Sequence, residues 1–468
     1  MSDFRKFSKP RVAYLGLSLE LYLETSPSLK DWDKAFKKWC KKLSNYADIL
    51  YSRTCFKDAE IEEAAAKIEA LQPDAIVLSA LSYTPSMLVY PLAAKTNIPI
   101  IIWNTQDDAI ISDKYVPLDL DRNHTVQGIH DITNVFFQNK IKYAIVSGHW
   151  NDNARCALLE EELYAAKAYR AAKNIKVLAL GGAFVGMGDF EYDTGMLRKK
   201  WGPTVQDLDT KEFCEEAASI NKKLVEKKRQ EDLKFFAVRP DLDADVHRES
   251  IRRYFALINL LNKYDANAFT MNFTRLVKIP DFGQLPFYAI NCSMAEGVGY
   301  AGEGDSLRAA LMRQMIELTG IANFTEIYTI DWKRDLMFMS HMQECSIGSA
   351  RKDRKIELRQ MPFWVKGSPD YAGMYFTLEA GDYTGVSCTA TPEGKWRFVA
   401  FEGTVPQLPF IDTYNRAYWL LRPNKPVAEF LDNYSLFGGA HHLAAVPGKK
   451  LNAIRRLAKW LDFDFVEC

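Results

Sequence analysis

Three stretches of this 468-residue chain carry residue types that could do chemistry together, and they lie far apart in sequence. Residues 295–305 (AEGVGYAGEGD) set Glu303 among glycines at 297, 299, 302 and 304, a pattern suited to a tight loop that brings a carboxylate and bare backbone close to a ligand. Asp305 stands where it can cap the amphipathic helix predicted over residues 307–318. A turn whose acids face water stays open as a reading of this segment. A phosphate cradle fits less well: the stretch lacks a Lys–Ser/Thr ending, its glycine order is not a dinucleotide fingerprint, and Glu296, Glu303 and Asp305 would repel an anion. In residues 324–344, Glu326 precedes His341 by a predicted pair of short strands. In residues 437–442 (FGGAHH), two glycines precede His441 and His442. Neighbouring histidines on a strand point to opposite faces, so one could face a site while the other packs behind it.

Each histidine taken alone reads equally well as a core or surface group. Jointly, two glutamates and two histidines form a mixed oxygen and nitrogen set suited to a divalent ion such as Mn²⁺, Co²⁺ or Mg²⁺, with positions left for substrate hydroxyls. The absence of a thiolate from the set disfavours a structural zinc. A cation held this way polarises a carbonyl and the adjacent hydroxyl while a carboxylate moves a proton between neighbouring carbons, which is what aldose–ketose interconversion requires. Spacing alone does not bring the four residues together.

The elements that would position them follow from hydrophobic patterning. Short apolar runs at 12–15, 75–78, 98–103 and 144–147 alternate with amphipathic stretches at 32–43 and 59–71. Apolar runs without polar alternation suit parallel strands covered on both faces, hence an α/β layer structure. A second unit of the same kind follows, with strands predicted at 177–180 and 268–273, a charged helix over 210–230 and another over 248–261. Beyond about residue 326 the pattern changes to segments rich in β-formers, at 374–378, 384–389 and 395–401, the last two flanking a turn at 391–394 (TPEG). The C-terminal third therefore reads as an antiparallel sheet or barrel, closed by a helix over 451–461 and a last strand over 463–466.

Composition narrows the function class. Lys plus Arg and Asp plus Glu balance at 60 each, so a general attraction to nucleic acid or to an anionic membrane is not expected. The basic run at 222–229 (KKLVEKKR) has helical spacing and reads as a solvated helix face. No stretch approaches the ~20 apolar residues of a membrane span, and residues 1–10 are polar and lack a signal-peptide core. Eight scattered cysteines without metal-finger or redox spacing suit reduced thiols in a cytoplasmic protein.

Four stretches resemble L-arabinose isomerase: 268–273 (AFTMNF), 294–311 (MAEGVGYAGEGDSLRAAL), 325–344 (TEIYTIDWKRDLMFMSHMQE) and 438–442 (GGAHH), with weaker matches at 123–128 (NHTVQG) and 147–152 (SGHWND). All six occur in family order. The block at 181–189 (GGAFVGMGD) looks closer to the wider L-fucose/L-arabinose isomerase superfamily. The resemblance implies an α/β fold with two Rossmann-like domains, at 1–173 and 174–322, followed by an antiparallel β-barrel-like domain at 323–468. It implies a metal-dependent aldose–ketose isomerase acting on an aldopentose or related monosaccharide through a cis-enediol. Glu303, Glu326, His341 and His442 would bind a Mn²⁺-like ion, and Glu303 and Glu326 would be the acid/base pair. His441 would be a neighbour of the ion, Phe269 or Phe273 would line the sugar site, and His124 and Gln127 would reach it from another chain of a homo-oligomer, a hexamer or a smaller assembly with shared active sites. The loop carries His124 then Gln127 where the family has Gln then His, and residues 17–22 (LSLELY) lack the family's Gln–His pair, so the sugar's identity is left open. The alternative is a non-catalytic sugar-binding or regulatory protein on the same fold, and the presence of both Glu303 and Glu326 argues against it.

Overall fold

The computed structural model describes residues 7–25 and 29–468, so most of the polar opening segment lies outside the described residues. The chain forms two units, Ser8–Arg170 and Ala171–Cys468, the latter including Phe7.

In the first unit, Arg11–Leu17, Asp48–Cys55, Ala75–Ala80, Ile100–Asn104 and Tyr143–Ser147 build a parallel sheet in the order 2-1-3-4-5. Ala75–Ala80 is buried along its whole length and Arg11–Leu17 is buried after its first residue, as strands covered on both faces should be. The apolar runs predicted the other four strands; Asp48–Cys55 escapes that reading because it is an edge strand with only its last residue buried and a polar sequence, DILYSRTC.

The second unit opens with four parallel strands, Lys176–Leu180, Thr204–Leu208, Ala268–Met271 and Gly299–Ala301, in the corresponding order 2-1-3-4. The charged helix predicted over 210–230 is two helices, Thr210–Ser219 and Lys222–Phe235. Asn221 causes the break: its backbone is extended and its side chain accepts the Lys223 N–H at 2.8 Å, capping the second helix. The strand predicted over 268–273 stops at Met271, because Asn272 caps a short helix, Phe273–Leu276.

The rest of this unit is a closed barrel. Gly381–Ala390, His442–Pro447, Asn323–Asp331, Leu336–Ser340, Tyr418–Pro423 and Trp396–Val405 pair in that ring order, each antiparallel to the next, and the last pairs back to the first. Asp464–Glu467 adds to Trp396–Val405 in parallel. The predicted hairpin is present, with Ala390 opposite Trp396, and the predicted terminal helix is Leu451–Leu461. A small sheet of Ala237–Val238, Glu357–Met361 and Tyr371–Tyr375 was not predicted as such.

Candidate metal centre

Barrel register does most of the assembly. Asn323–Asp331 lies between two neighbours, and Glu326 faces Ser340 across one pairing and His442 across the other. Directly opposed residues project to the same face of a sheet. His341 lies just past the end of Leu336–Ser340, where strand alternation no longer governs it, and it joins Glu326 and His442 at one spot. Glu326 Oε1 lies 3.1 Å from His442 Nε2 and 3.4 Å from His341 Nε2.

Glu303 arrives from the other sheet. It leaves the carboxyl end of Gly299–Ala301, the position at which parallel sheets build ligand sites. Its backbone is left-handed, φ +62°, a conformation that costs an L-residue ~1–2 kcal/mol. The loop is pinned by the Gly304 N–H donating to the Met271 carbonyl and the Phe184 N–H donating to the Glu303 carbonyl, both at 2.9 Å. The glycines serve close approach. A Cβ on Gly302 would meet His341 Cε1 at 2.7 Å, and one on Gly304 would run into the Gly182 carbonyl. Glu303 Oε2 stands 3.9 Å from His442 Nε2 and 4.0 Å from His441 Nε2.

Each imidazole is aimed through its far nitrogen. His341 Nδ1 bonds Glu344 Oε2 at 2.7 Å, and the Tyr300 hydroxyl donates to the same carboxylate at 3.1 Å. His442 Nδ1 bonds Asp305 Oδ2 at 3.0 Å, and His441 Nδ1 bonds Asp189 Oδ2 at 2.7 Å. Carboxylates behind histidines fix the tautomer and turn Nε2 inward, the usual support of metal-binding imidazoles. Aromatic rings complete the packing: Phe324 sets its edge against His341 and His442, with centroids at 4.8 and 4.7 Å.

The polar accounting leaves a gap that an ion would fill. Glu303 Oε2, His441 Nε2 and His442 Nε2 are buried and make no hydrogen bond. Orphaned buried polar atoms are uncommon and call for an explanation. Two donor sets overlap on His442: Glu303 with His441 and His442, and Glu326 with His341 and His442, the donor atoms of each set within 4.8 Å of one another. Burial opposes charge on Glu326, but His341 and His442 outweigh it and hold its carboxyl well below the usual range. Burial pulls His341 down while Glu344 and Glu326 push it well above an ordinary imidazole. His441, pulled down by burial, is raised to about 9 by Asp189 and Glu303. Metal binding to such a set competes with protons for the imidazole nitrogens and carboxylates. The residues present therefore fit a hard or borderline divalent cation.

Phe269 is fully buried in the parallel sheet, where it stacks on Tyr300 at 6.1 Å. Phe273 packs among Phe184, Phe363 and Trp364. His124 and Gln127 belong to the first unit, where His124 stacks on Tyr83 at 5.8 Å and Gln127 is exposed. Sequence reasoning did not assign Glu344, Asp189, Arg308 or Phe190. The spacing of Glu344 three residues after His341 was the one available signal; the others are linked to the site only through the tertiary fold.

Two family profiles cover adjoining stretches: the L-arabinose isomerase central domain matches residues 191–320 and the L-arabinose isomerase C-terminal domain matches 321–464. L-arabinose isomerase of Escherichia fergusonii is 24% identical over 82% of this chain and 78% of its own length. Those of Pediococcus pentosaceus and Leuconostoc mesenteroides subsp. mesenteroides are 26% and 27% identical, each over 70% of this chain and 71% of theirs. Among solved structures, an ABC transporter solute-binding protein from Burkholderia multivorans aligns over 66% of this chain and 93% of its own at 12% identity, with a TM-score of 0.17, which carries no argument. Fold, site and relatives together define an aldose–ketose isomerase, an enzyme acting on a monosaccharide. Within that class the chain belongs to the L-arabinose isomerase family. Among the described residues no helix is long and apolar enough to cross a membrane.

Proposed function

We propose that the chain is a divalent-metal-dependent isomerase of an aldopentose or a related sugar, working through a cis-enediol, with Glu303, Glu326, His341 and His442 as the metal ligands and manganese as the preferred ion. The observation that carries this reading is a pair of donor sets, Glu326 with His341 and His442 and Glu303 with His441 and His442, joined at His442, with Glu303 Oε2 and His442 Nε2 buried and making no hydrogen bond. When bound, the ion would polarise the sugar carbonyl and its neighbouring hydroxyl. Glu303 and Glu326 supply the proton chemistry. Between them they take the proton from C2 of the open-chain aldose, exchange protons with O1 and O2, and return a proton to C1, so that no atom or electron is gained or lost overall. Glu326 stands between two of the other proposed ligands, with Oε1 3.1 Å from His442 Nε2 and 3.4 Å from His341 Nε2. His441, held by Asp189, turns Nε2 toward Glu303 and binds a sugar hydroxyl. Phe273, on the carboxyl-end side of its sheet, is the better placed of the two phenylalanines to border the sugar, because Phe269 has no exposed surface.

The three-domain division at 1–173, 174–322 and 323–468, a homo-oligomer in which His124 and Gln127 serve the centre of another chain, and a cytoplasmic location belong to the same proposal. Eight cysteines, all free, support a reducing compartment. Light scattering of the purified protein checks the assembly; a monomer at working concentration would remove the shared site.

The deciding experiment incubates metal-stripped protein with L-arabinose, D-arabinose, L-fucose and L-ribulose in deuterated water, with and without Mn²⁺, and follows products by NMR. Manganese-dependent conversion with deuterium at the transferred position is expected. Conversion without deuterium would replace the enediol by a hydride shift, and conversion independent of metal would overturn the metal assignment.

A further inference from the structure

The last residue of the block at 181–189 is built into the centre. Asp189 holds His441 and Asp305 holds His442, so the two histidines of the pair have separate carboxylates. Both carboxylates meet one guanidinium. Arg308 is 1% exposed. Its Nη1 donates to the Asp189 carbonyl at 2.5 Å and stands 3.5 Å from Asp305 Oδ1, while Nη2 is 3.7 Å from Asp189 Oδ2. The backbone N–H of Arg308 also donates to Asp305 Oδ1, at 3.1 Å. Phe190, next in sequence to Asp189, stacks on His441 and His442 with centroids at 5.1 and 5.2 Å. A buried charge persists only where it is paired, and breaking such a pair leaves an uncompensated charge behind.

We propose that Arg308 is a positioning residue that holds His441 and His442 as one unit, through Asp189 on the substrate side and Asp305 on the metal side. This rests on the metal and sugar roles assigned above. Arg308 touches neither ligand. Its loss leaves the buried Asp305 carboxylate and the partly exposed Asp189 carboxylate without their shared counter-charge, and both imidazoles lose a fixed direction. The arms then separate: Asp305 and His442 act on metal affinity, Asp189 and His441 on the sugar.

The test uses the full-length protein and two readouts. Histidine NMR of the metal-free protein follows the slowly exchanging Nδ1 protons of His441 and His442. Calorimetry with Mn²⁺ and steady-state kinetics with the sugar converted by the unmodified protein follow function. Arg308→Met is expected to abolish both Nδ1 signals, to weaken Mn²⁺ binding ~10–100-fold and to raise KM, with Arg308→Lys recovering part of each. Asp189→Asn is expected to remove the His441 signal and raise KM while leaving Mn²⁺ affinity within about threefold, a small change on the scale of lost metal supports. A folded Arg308→Met protein that keeps both signals, its Mn²⁺ affinity and its KM overturns the proposal. If Arg308→Met does not fold, Asp189→Asn decides: Mn²⁺ affinity falling in step with sugar affinity overturns the division into two arms. Failure of the unmodified protein to bind Mn²⁺ or convert any sugar overturns the functional reading, and loss of both Nδ1 signals in Arg308→Met would still uphold the clamp.

Discussion

The two parallel sheets share a strand order over their first four strands, yet their carboxyl ends are furnished differently. In the first unit the groups at the crossover between the first and third strands are neutral and satisfy one another: Ser18 and Ser82 share a hydrogen bond at 2.7 Å, and the Thr84 hydroxyl donates to the Ser82 carbonyl at 3.1 Å. In the second unit the carboxyl side of the sheet carries Asp189, after the first strand, and Glu303 and Asp305, after the fourth, each facing a histidine. Topology offers the same crevice twice; the loop residues decide whether it holds structure or charge. The second end is completed by barrel strands, and Glu303 Oε2, His441 Nε2 and His442 Nε2 remain without hydrogen bonds, whereas Ser18, Ser82 and Thr84 of the first are bonded.

Three substitutions sharpen that contrast. Glu303→Gln keeps the size of the side chain and removes a proton acceptor, so turnover should fall by ~10²–10⁴. A rate within tenfold of the parent would remove Glu303 from the acid/base pair. Glu344→Gln leaves every proposed ligand in place but weakens the support behind His341, and Mn²⁺ affinity measured by equilibrium dialysis should drop by ~10–100-fold. An unchanged dissociation constant would mean that His341 is oriented by packing against Phe324 alone. Ser18→Ala, at the neutral end, should cost only ~1 kcal/mol in denaturant unfolding, the usual worth of one hydrogen bond, with Mn²⁺ affinity unaltered. A metal defect in that variant would break the distinction between the two sheet ends.

The sequence made some of this legible and hid the rest for physical reasons. The fully apolar runs around Ala75–Ala80 and Arg11–Leu17 reveal themselves because burial on both faces leaves no alternation. Edge strands such as Asp48–Cys55 do not, since half-exposed polar positions look like loop. The break at Asn221 is a capping event one residue wide inside a charged run that otherwise reads as continuous helix. At the centre, Glu303 stood out by its glycines, and Gly302 and Gly304 do serve close contacts. Glu326, His341 and His442 became a set only by resemblance, because cross-strand register joins residues that sequence separates. Arg308 looked like one more polar position on an amphipathic helix, and only the fold reveals it as a buried cation between two acids.

His442–Pro447 sits between Gly381–Ala390 and Asn323–Asp331 in the barrel, and it is the last of the six ring strands in chain order. During synthesis the chain emerges from its N-terminus, so the other five strands are made first and leave those two edges open. Open edges are templates for pairing with other chains. The strand that seals the ring also begins with the histidine that both donor sets share. Closing the barrel and completing the proposed metal site are thus a single late event in the life of the chain, and a ribosome stalled before residue 442 would hold a product that has two open strand edges and lacks the histidine both donor sets share.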